Sequence, residues 1–183
     1  IRVHHRLRGE PVTPTAHPTD FPAFRLIAVN GVELEVFEAG QHNAGNPIVL
    51  CHGWPELASS WRHQVPALVA AGYHAIAPNQ RGYGGSSRPT EVTAYDIEHL
   101  AGDLVALLDH FGYADATFVG HDWGAMVVWG LTLLHPERVT QVINLSLGST
   151  GRTHIFDTVA QVVTCSLPAP GEPAVHLADP GYN

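Results

Sequence analysis

Apolar and polar positions change period several times along this chain, and each change predicts an element. Phe24 to Val29 and Val32 to Phe37, separated by Asn30-Gly31, read as the two strands of a hairpin. Asn46-Pro47 introduces Ile48 to Cys51, an apolar run too short for a helix and suited to a buried parallel strand. Trp61, Val65, Leu68 and Val69 then recur at helical spacing, with Ser59 or Ser60 as the cap, Gly72 as the stop and Pro66 accommodated within. Tyr73 to Ala77 is the next strand, and Asn79 to Pro89, with three Gly and two Ser, is a loop.

Thr93 followed three residues later by Asp96 suggests a helix start; Ile97, Leu100, Leu104, Leu107 and Leu108 form its apolar face and Gly112 ends it. Thr117 to Val119 is a further strand, Ala125 to Leu134 a buried helix and Val139 to Leu145 the strand after it. Short strands alternating with helices predict an α/β fold, a mostly parallel sheet covered on both faces. His52-Gly53-Trp54, Arg81 to Gly84 and Asp122 all follow strands, so they converge on the carboxyl edge where such sheets bind ligands.

The pattern divides the chain into an irregular arm rich in His, Pro and Thr over residues 1–22, a core over 23–145 and a divergent tail over 146–183. The tail holds a weak apolar segment, Ile155 to Val163, then Pro168, Pro170, Pro173 and Pro180, and no clear βα unit. The chain's 183 residues suffice to bury one core, and an apolar fraction of 45% with four Trp, five Tyr and six Phe predicts a packed domain.

Charge narrows the partners. Nine Lys and Arg against 17 Asp and Glu give a formal net charge of -8, which argues against general affinity for nucleic acid or an anionic membrane; Arg2, Arg6 and Arg8 are too few to reverse it. No apolar run is long enough to span a bilayer and no signal sequence is visible, so the cytoplasm is the expected location; the first residue is Ile, which leaves room for a preceding or removed segment. Cys51 sits in an apolar strand and reads as a small buried thiol rather than half of a disulfide with Cys165.

Gly120-His121-Asp122-Trp123-Gly124 puts a carboxylate on a tight strand-to-helix turn, the position of a hydrolase nucleophile. An aspartate there attacks carbon and forms an ester, whereas a serine would form an acyl-enzyme. The competing reading is a helix-capping aspartate in a tight turn. The backbone N–H of Trp123, and that of Trp54 in His52-Gly53-Trp54-Pro55, are candidate oxyanion donors; a merely rigid turn is the alternative for the second.

His52 and His121 read as loop supports before they read as general bases, and the Trp54 and Trp123 rings divide evenly between lining a pocket and packing in the core. Arg81-Gly82-Tyr83-Gly84-Gly85-Ser86 lacks the Gly-Lys-Ser/Thr ending of a nucleotide loop and reads as a structural loop at the rim, with Arg81 pinning loops. Thirteen His raise the question of a metal, but His4-His5, His42, His52, His63 and His74 have no ligand spacing, so no metal or cofactor is expected.

Taken together, His52-Gly53-Trp54-Pro55-Glu56, Arg81 to Ser86 and Gly120 to Gly124 resemble the α/β-hydrolase superfamily and, within it, the epoxide hydrolases, over about Phe24 to Leu145. Haloalkane and fluoroacetate dehalogenases share much of this set but often carry Asn at the position of Trp54 or Arg at that of Trp123. The resemblance implies attack of Asp122 on an epoxide carbon, Trp54 and Trp123 N–H groups serving hydrolysis of the ester, two tyrosines from a helical cap and a late His paired with an acid. It implies a small apolar epoxide, or a halogenated compound, as substrate and a vicinal diol as product.

The cap and last strands are not recognisable. Leu145-Ser146-Leu147-Gly148 offers no carboxylate, and His154, His176, Asp157 and Asp179 are outside the expected contexts. The expectation is therefore a truncated, fragmentary or rearranged member: an enzyme by resemblance, or else a catalytically incomplete fold or interaction protein, with an unfinished sheet edge that would favour self-association.

Overall fold

The computed structural model describes residues 24–43 and 47–145. The arm over 1–22 and the tail over 146–183, with Ile155 to Val163, Cys165 and the His and Asp residues named there, lie outside the described residues. Six strands form one sheet: β1 (Arg25–Val29), β2 (Val32–Ala39), β3 (Pro47–Cys51), β4 (His74–Pro78), β5 (Ala116–His121) and β6 (Val139–Leu145). Their order is β1-β2-β4-β3-β5-β6. The β1–β2 and β2–β4 pairs are antiparallel, and the pairs from β4 through β3 and β5 to β6 are parallel. The mostly parallel α/β sheet expected from the pattern is thus present.

The hairpin turns on Asn30 and Gly31, with φ of 46° and 76°, as the right-handed twist of two flanking strands requires. β3 has no polar residue because both its faces are covered. Val49 and Cys51 join one core with Leu104, Leu107, Leu108 and Phe118, while Ile48 and Leu50 join the other with Trp61, Val65 and Phe37. The first core lies beneath α2 (Ile97–Phe111) and α3 (Trp123–Leu134), the second beneath α1 (Gln64–Ala70). Burial pushes the free Cys51 thiol up to about 12, which leaves it an inert core group.

Several expectations are corrected in detail. Neither Ser59 nor Ser60 caps a helix: Ala58–His63 is a 3-10 turn with no side-chain cap, and the Ser60 hydroxyl donates to the Leu57 carbonyl oxygen at 2.9 Å. The α-helix starts only at Gln64, so Pro66 falls in its first turn, where a missing N–H costs nothing. Asp96 caps α2 by accepting the His99 N–H at 2.9 Å, a contact worth about 1 kcal/mol, and Thr93 lies upstream in a separate turn. Gly112, at φ 76°, closes α2 as expected. Nor is α3 buried all round: Val127, Val128 and Leu131 face the sheet, while Met126, Trp129, Leu133 and Leu134 are exposed. Among the described residues, no helix is long and apolar enough to cross a membrane.

Candidate active site

β3, β4 and β5 end side by side, and the chain turns sharply after each. At the end of β5, Asp122 has φ 49° and ψ -116°, a left-handed conformation that a non-glycine residue adopts at a cost of order 1–3 kcal/mol. Neighbouring glycines make the turn possible. A Cβ on Gly120 would stand 2.5 Å from Ala125 Cα, and one on Gly124 would meet the Cys51 carbonyl oxygen. The turn therefore brings the start of α3 against the end of β3 as well as β5.

The Asp122 carboxylate sits where two backbone donors converge. Its Oδ2 accepts the Trp123 N–H at 2.6 Å and the Trp54 N–H at 3.1 Å. The helix-capping reading and the elbow reading thus describe one geometry: Asp122 is the N-cap of α3 and also carries one oxygen in a two-donor hole. Oδ1 lies outside this pair of contacts.

An open cleft of about 820 Å³ lies over this carboxylate, lined by Trp54, Gln80, Tyr83, Tyr95, Leu100 and Trp123 among others. The core-packing alternative for the two tryptophans is overturned: Trp54 is 68% exposed and Trp123 48%, because a ring that follows a carboxyl-edge turn projects away from the sheet. The Tyr95 hydroxyl donates to the Pro89 carbonyl at 2.9 Å. Burial, and after it the negative charge of Asp122, push the Tyr83 hydroxyl above its ordinary range.

His52 is fully buried beneath the cleft, and both its ring nitrogens are engaged. The Gln80 N–H donates to Nε2 at 3.1 Å, so the proton resides on Nδ1, which donates to the Gly53 carbonyl oxygen at 2.8 Å. Burial holds its pKa below 6.5, and a neutral ring locked at both ends supports a loop. His121 Nδ1 donates to Glu56 Oε2 at 2.9 Å. Among the described residues, no group of three His, Cys, Asp or Glu side chains is placed to hold a metal.

The glycine-rich loop over 82–86 is tied to the protein by its own N–H groups. Gly85 N–H donates to Glu35 Oε2 at 2.7 Å, a contact that places a carboxylate where a phosphate-binding loop would need an anion. Arg81 pins loops, as its position suggested: it donates to Asp103 through Nε and Nη2 at 2.7 and 2.5 Å and through Nη1 to the Ala94 carbonyl oxygen at 2.7 Å.

Pattern reading missed Glu35, Asn79, Gln80 and Asp103, whose partners lie 22 to 50 residues away. Only the place of Gln80 beside the Arg-Gly loop could have drawn attention to it.

Comparison with known proteins identifies the family. A family model described as "alpha/beta hydrolase fold" matches residues 46–165. Epoxide hydrolase A of Mycobacterium tuberculosis is 56% identical over 140 residues, 76% of this chain and 43% of that protein. An epoxide hydrolase of Caballeronia sordidicola is 42% identical over 137 residues, 74% of this chain and 41% of that protein. The crystal structure of epoxide hydrolase A from Mycobacterium thermoresistibile superimposes with a TM-score of 0.67 at 56% identity, covering 69% of this chain and 39% of that one. The chain thus spans about two fifths of the length of these relatives. It belongs to the α/β hydrolase fold family, and within that family it is similar to epoxide hydrolases.

Proposed function

We propose that the chain carries the nucleophilic half of an epoxide hydrolase site, with Asp122 as the attacking group and the Trp54 and Trp123 N–H groups as its oxyanion donors. The observation that carries this reading is the Asp122 carboxylate on a strained elbow, with Oδ2 between two N–H donors at 2.6 and 3.1 Å and an open cleft above it. The similarity to epoxide hydrolases supports it.

In the first step Asp122 Oδ1 attacks a ring carbon, the ring C–O bond breaks with its electron pair on oxygen, and that oxygen takes up a proton. The product is an ester on Asp122. In the second step water adds to the ester carbonyl carbon and gives up a proton to solvent, so that negative charge gathers on Oδ2 between the two donors; collapse breaks the bond from that carbon to the alkyl-bearing oxygen, and the departing alkoxide takes the proton of the re-formed carboxyl group, which releases the diol and regenerates the carboxylate. The donors serve this second step most, because charge concentrates on Oδ2 only in its tetrahedral intermediate. The apolar walls from Trp54, Trp123 and Leu100 favour a small apolar or aryl epoxide.

Exposure to a small aryl epoxide, followed by intact-mass and peptide mass spectrometry with diol release assayed in the same samples, tests the reading. The expected result is an adduct on Asp122, with or without diol. Asp122→Asn removes it, lowering the rate of attack on the order of 10⁴-fold or more. A haloalkane run in parallel separates epoxide opening from halide displacement by the same carboxylate. A folded chain that gives neither adduct nor product would refute the proposal.

A further inference from the structure

Glu56 takes no part in the chemistry above, yet its carboxylate touches both loops that form the hole. Its Oε2 accepts the Gly53 N–H at 3.3 Å and His121 Nδ1–H at 2.9 Å. The backbone closes the same turn, since the Glu56 N–H donates to the Gly53 carbonyl oxygen at 3.1 Å. With both polar groups of Gly53 held by Glu56, the next N–H, that of Trp54, is turned outward onto Asp122 Oδ2.

The turn also lies hard against the elbow. A Cβ on Gly53 would stand 2.8 Å from Asp122 Cβ and 3.0 Å from His121 Nδ1, so a small rotation of the Gly53–Trp54 peptide changes the distance from donor to Oδ2 directly. The Glu56 and His121 side chains are 33% and 32% exposed, a setting in which such a polar contact contributes little to stability. What the pair supplies is therefore geometry rather than stability.

We propose that Glu56, with His121, is a positioning residue that aims the Trp54 N–H at the nucleophile, and that it acts on hydrolysis of the Asp122 ester in preference to its formation. The proposal rests on the nucleophile reading above. The two steps respond differently because attack leaves Oδ2 an ordinary ester oxygen, whereas hydrolysis needs a full oxyanion there. Removing one oxyanion donor slows such a step about 10²- to 10³-fold, and misaiming one costs part of that.

Two measurements on the full chain test it, using Glu56→Gln and Glu56→Ala. The first follows the mass of the aryl-epoxide adduct on Asp122 during formation and, after the reagent is removed, during decay. The adduct is expected to live about 10-fold longer or more in Glu56→Ala, with Glu56→Gln between it and the parent, while the rate of formation changes less than about 3-fold. Equal changes in both rates, or none in lifetime, would overturn the proposal.

The second measurement is amide hydrogen exchange, which needs no reaction. Trp54 N–H is expected to lose protection in Glu56→Ala, and in part in Glu56→Gln, while Gln80 N–H, bound to His52, keeps it as the control for folding. Unchanged protection at Trp54 overturns the proposal even if no epoxide reacts. Absence of any Asp122 adduct in the parent, with loss of Trp54 protection in the variants, would instead sink the nucleophile reading and keep the positioning one. If Glu56→Ala does not fold, Glu56→Gln decides both measurements.

Discussion

Along β1, β2 and β4, side chains tie the loops back to the sheet at long range; along α3 and β6, the described residues leave surfaces and polar groups unmet. On the first flank, Glu35 accepts both the Gly85 N–H and the Asn79 amide, the Ser86 hydroxyl donates to the Asn79 carbonyl oxygen, and Arg81 is sealed against Asp103. Two buried polar atoms on that side, Gln80 Oε1 and Trp61 Nε1, lack a partner among the described residues, so the difference lies in the long-range ties rather than in the number of unmet groups. On the second, Leu133 is 81% exposed, and both amide atoms of Asn144 are buried with no partner among the described residues.

The candidate site stands on the line between them. Asp122 comes from the β5–α3 side, while the Trp54 donor comes from the turn after β3, which His52 and Gln80 fasten to the other side. The lesson is that the hole draws one donor from each flank, so its geometry depends on the register of β3 against β5, with Cys51 opposite Gly120.

The sharpest way to break the contrast is Arg81→Met, which strips a buried Asp103 of its partner. Urea unfolding should show a loss of about 3–5 kcal/mol, and Arg81→Met with Asp103→Leu should recover most of it. A loss no greater than that of a surface substitution would mean that the pair does not hold this flank.

Acid provides the next test. Burial keeps both His52 and His74 below their ordinary 6.5, in His74 against the opposing effect of Glu38 and with a smaller contribution from Arg25. His74 lies between Glu38 Oε2 and the Tyr113 hydroxyl, at 3.1 and 2.8 Å, with the Phe111 ring against it. The unfolded chain therefore takes up protons first as pH falls through about 6.5, and stability present above that value is lost on the way to the lower folded values. Urea midpoints should fall between pH 7.5 and 5.5, and amide exchange should accelerate in β2 and β4 before β5 and β6. A flat profile across that window would contradict the neutral buried rings.

The smallest effect is expected at Leu133, on the outer face of α3. Leu131→Ala, at a fully buried position, should cost about 2–5 kcal/mol, whereas Leu133→Ala, two residues on and exposed, should stay within about 0.5 kcal/mol. A large cost at Leu133 would show that its outer face is covered in solution.

Much of this molecule was readable from local pattern. Asn30-Gly31 fixed the hairpin because only residues tolerant of positive φ make that turn, and Gly112 ended α2 for the same reason. The elbow was readable because Gly120 and Gly124 are imposed by crowding within a few residues of Asp122. Ser59, Ser60 and Thr93 misled, since a hydroxyl in sequence does not reveal whether it faces an N–H or a carbonyl, and Asp96 took the cap.

The alternation of strands and helices, the tight turn and the identity of its carboxylate follow from local pattern, because periodicity and φ preferences act over a few residues. Long-range packing set the rest: Oδ2 lies between two donors, the Trp54 and Trp123 rings face a cleft, and Glu56 Oε2 accepts from His121 across 65 residues of chain. Those contacts form where strands 3, 4 and 5 end together, and their partners are set by the sheet order rather than by distance along the chain.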